Sequence, residues 1–195
     1  MLLKIIRKKI KDEKLLSLVR TILHNFNAKI KGIGMPLGNL TSQFFANVYL
    51  NELDQFVKHE LKVRYYMRYV DDFVIIHKSK EVLEYYKQEI TRFLTEILKL
   101  QLHPGKSKII PLFYGIPFVG FRIFCYHKLI RKKATKRIKA KLKMWEEMNE
   151  LGLLEKYTTL EKLIGWMAYA KNGNTYYLRK KVMARFNKLF EEKTR

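Results

Sequence analysis

Two adjacent carboxylates, Asp71 and Asp72, interrupt a run of strand-forming residues, Val63-Arg-Tyr-Tyr-Met-Arg-Tyr-Val-Asp-Asp-Phe-Val-Ile-Ile-His77. Like charges so placed resist joint ionisation unless a cation compensates them. Magnesium suits that task, because it prefers oxygen ligands and keeps coordination positions for phosphate. Two such ions about 3.5–4 Å apart can hold the attacking and leaving oxygens of a phosphoryl transfer. Mg2+ is therefore the expected cofactor, with two ions in a complete site and Asp71 and Asp72 as its metal ligands. The plain alternative is an Asp-rich turn, since Asp is a common turn residue.

Two further segments could meet phosphate. The loop from Gly32 to Gln43 holds three glycines and a proline within Lys31–Leu40 and leads into a helix. Glycine lets backbone approach a ligand closely, and a helix N-terminus offers unpaired N–H groups to an anion. An ordinary loop with a helix cap reads equally from the same residues. In His103-Pro-Gly-Lys-Ser-Lys108, Lys106 could protonate a leaving pyrophosphate or bind phosphate, or be a solvated surface lysine.

The elements that must position these groups follow from periodicity. Leu2, Leu3, Ile5, Ile6 and Ile10 give a short basic helix. Asp12 caps a second, with Leu15, Leu16, Leu18, Val19, Ile22 and Leu23 inward. Thr41 or Ser42 caps a third, whose apolar side is Phe44, Phe45, Val48, Tyr49, Leu53, Phe56 and Val57. Val63–His77 reads as a hairpin with the acids at its tip and Tyr65, Tyr66, Tyr69 and Phe73 mostly in the core. Ser79 caps a long helix to about Leu100, with Val82, Leu83, Tyr86, Ile90, Phe93, Leu94 and Ile97 inward. After a turn at His103–Gly105, Lys108–Leu112 and Ile116–Cys125 are strand candidates, with a turn at Tyr114-Gly115 between them. Helices are expected from about Ala134 to Glu150, from a Thr158 or Thr159 cap to Ala170, and from Thr175 to Glu192 beyond the breaker Asn172-Gly-Asn174. The expected class is α+β.

Composition narrows the function. The 195 residues carry 40 Lys+Arg against 18 Asp+Glu, a formal net charge of +22, with 48% apolar residues. That apolar content excludes a disordered basic tail. A single cysteine, Cys125, excludes an intrachain disulfide and a cysteine-based zinc site, and the five histidines show no metal-ligand spacing. No apolar run approaches the ~20 residues of a membrane span, and charges break the N-terminal run too early for a signal peptide. A cytoplasmic, folded chain with an anionic partner is expected, nucleic acid before membrane surface or acidic protein. Lys128–Lys143 holds nine Lys/Arg and no acid, so a basic helical module is expected to begin at residue 128, with backbone binding favoured over a merely solvated face.

Taken in order, these motifs resemble the reverse transcriptase family over about residues 2–180. Tyr69-Val-Asp-Asp72 resembles its paired-aspartate catalytic hairpin. Gly34-Met-Pro-Leu-Gly-Asn-Leu-Thr-Ser-Gln-Phe-Phe-Ala-Asn-Val-Tyr-Leu50 resembles the substrate-positioning loop and helix. His103-Pro-Gly-Lys-Ser107 resembles the lysine loop, and Gly115-Ile-Pro-Phe-Val-Gly-Phe-Arg122 the primer-grip hairpin. The resemblance implies an incomplete polymerase palm over 1–127 and a helical thumb over 128–195. It implies Asp71, Asp72 and Lys106 as catalytic residues, and Pro36, Leu37, Gly38, Ser42, Gln43 and Tyr69 as substrate-binding. Phe118, Val119 and Gly120 would form the primer grip, and Lys132, Lys133, Lys136 and Arg137 would contact nucleic acid. The partners would be an RNA template, a DNA or RNA primer and deoxynucleoside triphosphates. The Leu37-Gly38…Ser42-Gln43 form of the loop, with Thr175-Tyr-Tyr-Leu178, is similar to reverse transcriptases of bacterial diversity-generating retroelements. Those copy template adenines with errors and work with a small basic accessory protein.

One departure stands out. The family carries a third aspartate on an upstream strand, preceded by basic fingers. Here no Asp-bearing strand precedes the first helix, and Asp12, Glu13, Glu52 and Asp54 fall on helical stretches. The expectation is a palm and thumb lacking the fingers segment and the first aspartate, completed by a separate segment or accessory protein. The alternative is a non-catalytic RNA- or DNA-binding remnant of such an enzyme.

Overall fold

The computed structural model describes residues 1–24 and 40–190. The chain divides into two compact units, Met1–Ile109 and Ile110–Arg195. Helices and small antiparallel sheets make up both, in keeping with an α+β class. The glycine loop with Pro36, Leu37 and Gly38 lies outside the described residues.

In the first unit, α1 (Leu2–Lys9) and α2 (Glu13–His24) precede α3 (Leu40–Gln55). Asp12 caps α2, its Oδ1 accepting from the N–H of Lys14 at 2.8 Å and of Leu15 at 3.3 Å. Only part of the expected apolar side of α2 is covered. Leu16 and Val19 are buried with Ile6 and Phe45, whereas Leu15 and Leu18 face outward. Helix α3 already includes Leu40, so Thr41 and Ser42 belong to its first turn rather than to a cap at its start. Its apolar residues serve two neighbours. Phe45 and Val48 join the α1–α2 cluster, while Tyr49 and Leu53, with Phe56 and Val57 of the π-helical turn Phe56–Glu60 that continues the helix, join a cluster with α4 (Lys80–Phe93). Phe44 is exposed.

Two strands, β1 (Tyr65–Tyr69) and β2 (Asp72–Ile76), form the expected hairpin, paired from Tyr65 opposite Ile76 to Tyr69 opposite Asp72. Alternation splits its aromatics. Tyr66 and Phe73 pack on the core, but Tyr65 and Tyr69 stand on the exposed face, so the aromatic run is only half core. Ser79 caps α4 as expected, Oγ accepting from the N–H of Val82 at 3.0 Å. Helix α4 continues through a π-helical turn, Leu94–Leu98. The wider turn shifts the inward phase by one residue, so Leu98 is buried where Ile97 was expected. Tyr49 Oη donates to the Leu98 carbonyl at 2.6 Å, which ties that turn to α3.

The second unit holds a three-stranded antiparallel sheet, β3 (Ile116–Phe118), β4 (Phe121–Ile123) and β5 (Lys128–Ile130), followed by α5 (Lys132–Glu150), α6 (Lys156–Lys171) and α7 (Tyr176–Asn187). Ile116–Cys125 therefore holds the hairpin that the resemblance implies over Gly115–Arg122 in place of one continuous strand, and β5 was not foreseen. Val119 and Gly120 both have positive φ, 43° and 82°, as a tight two-residue hairpin turn demands. Lys108–Leu112 forms no strand; Leu112–Tyr114 is a 3-10 turn behind Pro111, which lacks the N–H a ladder needs. Thr158 and Thr159 lie inside α6, where Thr159 Oγ1 donates back to the Glu155 carbonyl at 2.6 Å instead of capping. The sheet packs with the helices that follow. Tyr169 Oη donates to the Gly120 carbonyl at 2.8 Å, and the Asn174 N–H donates to the Lys128 carbonyl at 2.8 Å. For that reason the division between units falls before β3, ahead of the change in composition at Lys128. Ile138, Leu142, Trp145, Leu163, Val182 and Phe186 form this unit's core.

The phase set by the π-helical turn is testable. Leu98→Ala is expected to cost about 2–5 kcal/mol in urea unfolding, and Ile97→Ala about 0.5 kcal/mol or less. Equal costs would show that Leu98 is not the buried residue.

Candidate active site

The hairpin places Asp71 in the turn and Asp72 at the first position of β2, both exposed. Tyr69, opposite Asp72, is exposed as well. Val70 takes a φ of 55°, a left-handed conformation that costs a β-branched residue about 1–3 kcal/mol.

The turn is held from below. Arg68 Nη1 donates to the Val70 carbonyl at 2.7 Å and to Asn47 Oδ1 at 3.0 Å. Its Nε and Nη2 donate to the two carboxylate oxygens of Asp54 at 2.8 and 2.5 Å. Tyr66 Oη donates to the same Asp54 at 2.6 Å. Asn47 and Asp54 are seven residues apart, two turns along one face of α3. Gln43 lies one turn before Asn47 on that face. The Arg68 and Asp54 side chains are 11% and 26% exposed, so the pair is largely withdrawn from solvent. The bond to Asp54 raises the Arg68 pKa further, keeping it charged. Burial, then the bond to Asp54 and its charge, push the Tyr66 phenol above the usual tyrosine value.

Sequence reading did not find Arg68, Asp54, Asn47 and Tyr66. A signal was there: Asn47 and Asp54 share a helical face, and Arg68 alternates with Tyr69 on the inner side of β1.

Neither Asp71 nor Asp72 carries an ion pair among the described residues, and no third His, Cys, Asp or Glu joins them there. Two adjacent exposed carboxylates supply the hard oxygen donors that a magnesium ion takes, as part of its ligand set. Ser42 and Gln43 stand in the first turn of α3; Ser42 Oγ is buried without a hydrogen-bond partner and Gln43 is exposed. Lys106 is exposed on the turn closed by its N–H to the His103 carbonyl at 3.1 Å.

In the second unit Phe118 is buried, 9% exposed, and Gly120 is committed to Tyr169: a Cβ there would stand 2.8 Å from Tyr169 Oη. Val119 is the exposed residue of the three. Lys132, Lys133, Lys136 and Arg137 are all exposed on the first two turns of α5, whose other side buries Ile138, Leu142 and Trp145.

Residues 5–147 match the sequence profile of a family described as reverse transcriptase (RNA-dependent DNA polymerase). Protein YkfC of Escherichia coli (strain K12) is 29% identical to the chain, the alignment taking in 69% of this chain and 43% of YkfC. The chain thus spans less than half the length of that relative.

Removing the Asp54 carboxylate strands the Arg68 guanidinium. Asp54→Ala is expected to lower stability by about 2 kcal/mol in denaturant unfolding. Tyr66 adds a pH dependence. Its folded pKa is raised, so its contribution is whole below the unfolded value of about 10 and is lost as pH rises through the folded pKa. Tyr66→Phe should therefore flatten the alkaline limb of a stability-against-pH curve. An unchanged limb would refute that linkage.

Proposed function

The chain belongs to the reverse transcriptase (RNA-dependent DNA polymerase) family, and from that premise we propose that it is the palm and thumb portion of an RNA-directed DNA polymerase. Residues 1–127 act as partial palm and 128–195 as thumb. The observation that carries the reading is the Asp71-Asp72 hairpin tip, fastened to α3 through Arg68 and without an ion pair among the described residues. The reaction is transfer of a nucleotide from a deoxynucleoside triphosphate to a primer 3′-hydroxyl, directed by an RNA template.

Asp71 and Asp72 would hold Mg2+ through carboxylate oxygens; bound there, the metal stabilises charge on phosphoryl oxygens. Arg68, Asn47 and Asp54 fix the turn so that both carboxylates face one site. Positioning to within a fraction of an ångström is where such a site gains most of its rate. Tyr69, Ser42, Gln43 and the Pro36–Gly38 loop bind the incoming nucleotide. Lys106 supplies a proton or a positive charge to the leaving pyrophosphate. Val119 and its hairpin contact the primer. The basic face of α5 tracks the backbone of an A-like duplex, which is recognised by shape and phosphate contact. A third carboxylate is expected from a segment outside the described residues, as are the fingers. Membership of the diversity-generating group, with its accessory protein, is part of this proposal.

A second reading, a nucleic-acid-binding remnant without catalysis, draws on the same gathering of only two carboxylates. Primer extension separates the two. The chain alone should not extend a primer on RNA with magnesium and all four deoxynucleotides. Adding a fingers segment with its Asp-bearing strand, in cis or as a second chain, should restore extension. Asp71→Ala should then abolish it, a loss of thousands-fold or more, since about 1.4 kcal/mol is tenfold in rate and metal clamping supplies several. Binding that never yields extension favours the remnant.

The thumb assignment has its own check. Changing Lys132, Lys133, Lys136 and Arg137 to Glu should weaken RNA–DNA duplex binding greatly and flatten its salt dependence, because counterion release drives such binding. Unchanged affinity in an anisotropy titration would refute it.

A further inference from the structure

The second unit contains a pocket that the proposed reaction does not use. It is open, about 750 Å³, and bounded by β5, the start of α5, the α6–α7 turn and the first turn of α7. That is the volume of a small-ligand site. Lys128, Lys171 and Arg179 line it, and no acidic residue does.

Three independent features make it a receptor for an anion. First, Arg179 is half-buried on the pocket wall, and its Nε is enclosed without a hydrogen-bond partner among the described residues. No carboxylate pairs with its guanidinium there, so its charge is open to an anion from outside. Second, α7 begins without a side-chain cap. The Thr175 hydroxyl donates to the Ala170 carbonyl at 2.6 Å instead, and the α7 ladder opens only with the Arg179 N–H to the Thr175 carbonyl at 2.8 Å. The N–H groups of Tyr176, Tyr177 and Leu178, all pocket-lining residues, therefore have no acceptor within the helix. Third, α5 starts beside the same pocket, between Ile130 and Thr135, also with no side-chain cap, and neither helix has an acid in its first turn. Two positive helix ends and three cations thus share one concavity.

The walls are preorganised. The Lys128 N–H donates to Asn174 Oδ1 at 3.1 Å, the Asn174 N–H returns to the Lys128 carbonyl, and the Gly173 N–H donates to the Ala170 carbonyl at 3.0 Å. At the rim, Tyr176 and Tyr177 are 63% and 78% exposed. Flat aromatic faces beside a phosphate site suit a nucleotide within a strand better than a free ion.

We propose that this pocket seats a backbone phosphate of a nucleic-acid strand, with Arg179 and Lys171 as its cations and the first amides of α7 as further donors. The identity of the strand rests on the reading of this unit as nucleic-acid-binding; the anion chemistry does not.

The test is a chemical-shift titration of the full chain, first with inorganic phosphate and then with a short single-stranded RNA. Phosphate should move the amides of Tyr176, Tyr177 and Leu178 saturably, and RNA should displace it from them. Arg179→Gln should weaken phosphate binding by about tenfold or more. Lys171→Glu, at an exposed position, should do the same and stands in if Arg179→Gln does not fold. No saturable shift, or equal affinity in the folded variants, overturns the pocket. Phosphate binding that RNA cannot displace overturns the strand assignment. The fourfold Glu variant of α5 leaves Arg179 and Lys171 intact. If it loses duplex binding but its α7 amides still answer phosphate, the pocket stands apart from the basic face. If it keeps full duplex affinity, the α5 assignment fails, and Arg179→Gln alone decides the pocket.

Discussion

A single guanidinium settles where the acidic tip of the hairpin lies. Arg68 donates to four acceptors on three residues: both oxygens of Asp54, the amide oxygen of Asn47 and the carbonyl of Val70. Only a planar fork can do this from one position; an ammonium at the end of a flexible stem cannot. The Val70 carbonyl belongs to the one turn residue with positive φ, so the ion pair also holds a backbone conformation that Val disfavours. Strain of that kind persists where the surroundings overdetermine it. Here they do, because Asn47 and Asp54 belong to a helix that cannot rotate without breaking two cores.

That immobility comes from burial of α3 on two sides. Phe45 and Val48 lie against α1 and α2, and Tyr49 and Leu53 against α4 and its π-helical turn. A helix used this way shows little amphipathic contrast, and its polar stripe is the narrow one that carries Gln43, Asn47 and Asp54. The π-helical turn does structural work at the far end. By shifting phase at Leu94–Leu98 it buries Leu98 and presents its carbonyl to Tyr49. The hairpin tip is therefore rigid to the extent that α3 is packed.

What could be read from sequence was the local chemistry. Asp12 and Ser79 announce their helices because each cap bonds residues two or three positions on. The hairpin is legible because strand propensity flanks a two-residue turn. Failures cluster where a distant partner decides. Leu15 and Leu18 match the helical period but stand exposed among the described residues. Thr159 has the residue type of a cap, yet the helix begins before it. Strand β5, Lys-Leu-Ile, is too short to give a local signal and exists because β4 and Asn174 offer it hydrogen bonds. Arg68 was invisible for the same reason: its side-chain acceptors, on Asp54 and Asn47, are 14 and 21 residues away.

The surroundings of the two aspartates are set by Arg68. In a chain with 40 cations and 18 acids, some of the described carboxylates are ion-paired and others are not. Glu13 pairs with Arg7, Glu52 with Lys8, Glu89 with Arg92 and Glu146 with Arg185. Among the described residues Asp71 and Asp72 have no such pair, although Arg68 is only three residues before Asp71. Arg68 is withheld because Asp54 already holds two of its N–H groups in the larger part of its desolvated surface, and breaking that contact would strand both partners. Asp54 thus acts on the tip at one remove: it keeps Arg68 engaged below the turn, and the two carboxylates above it are left without an ion pair among the described residues.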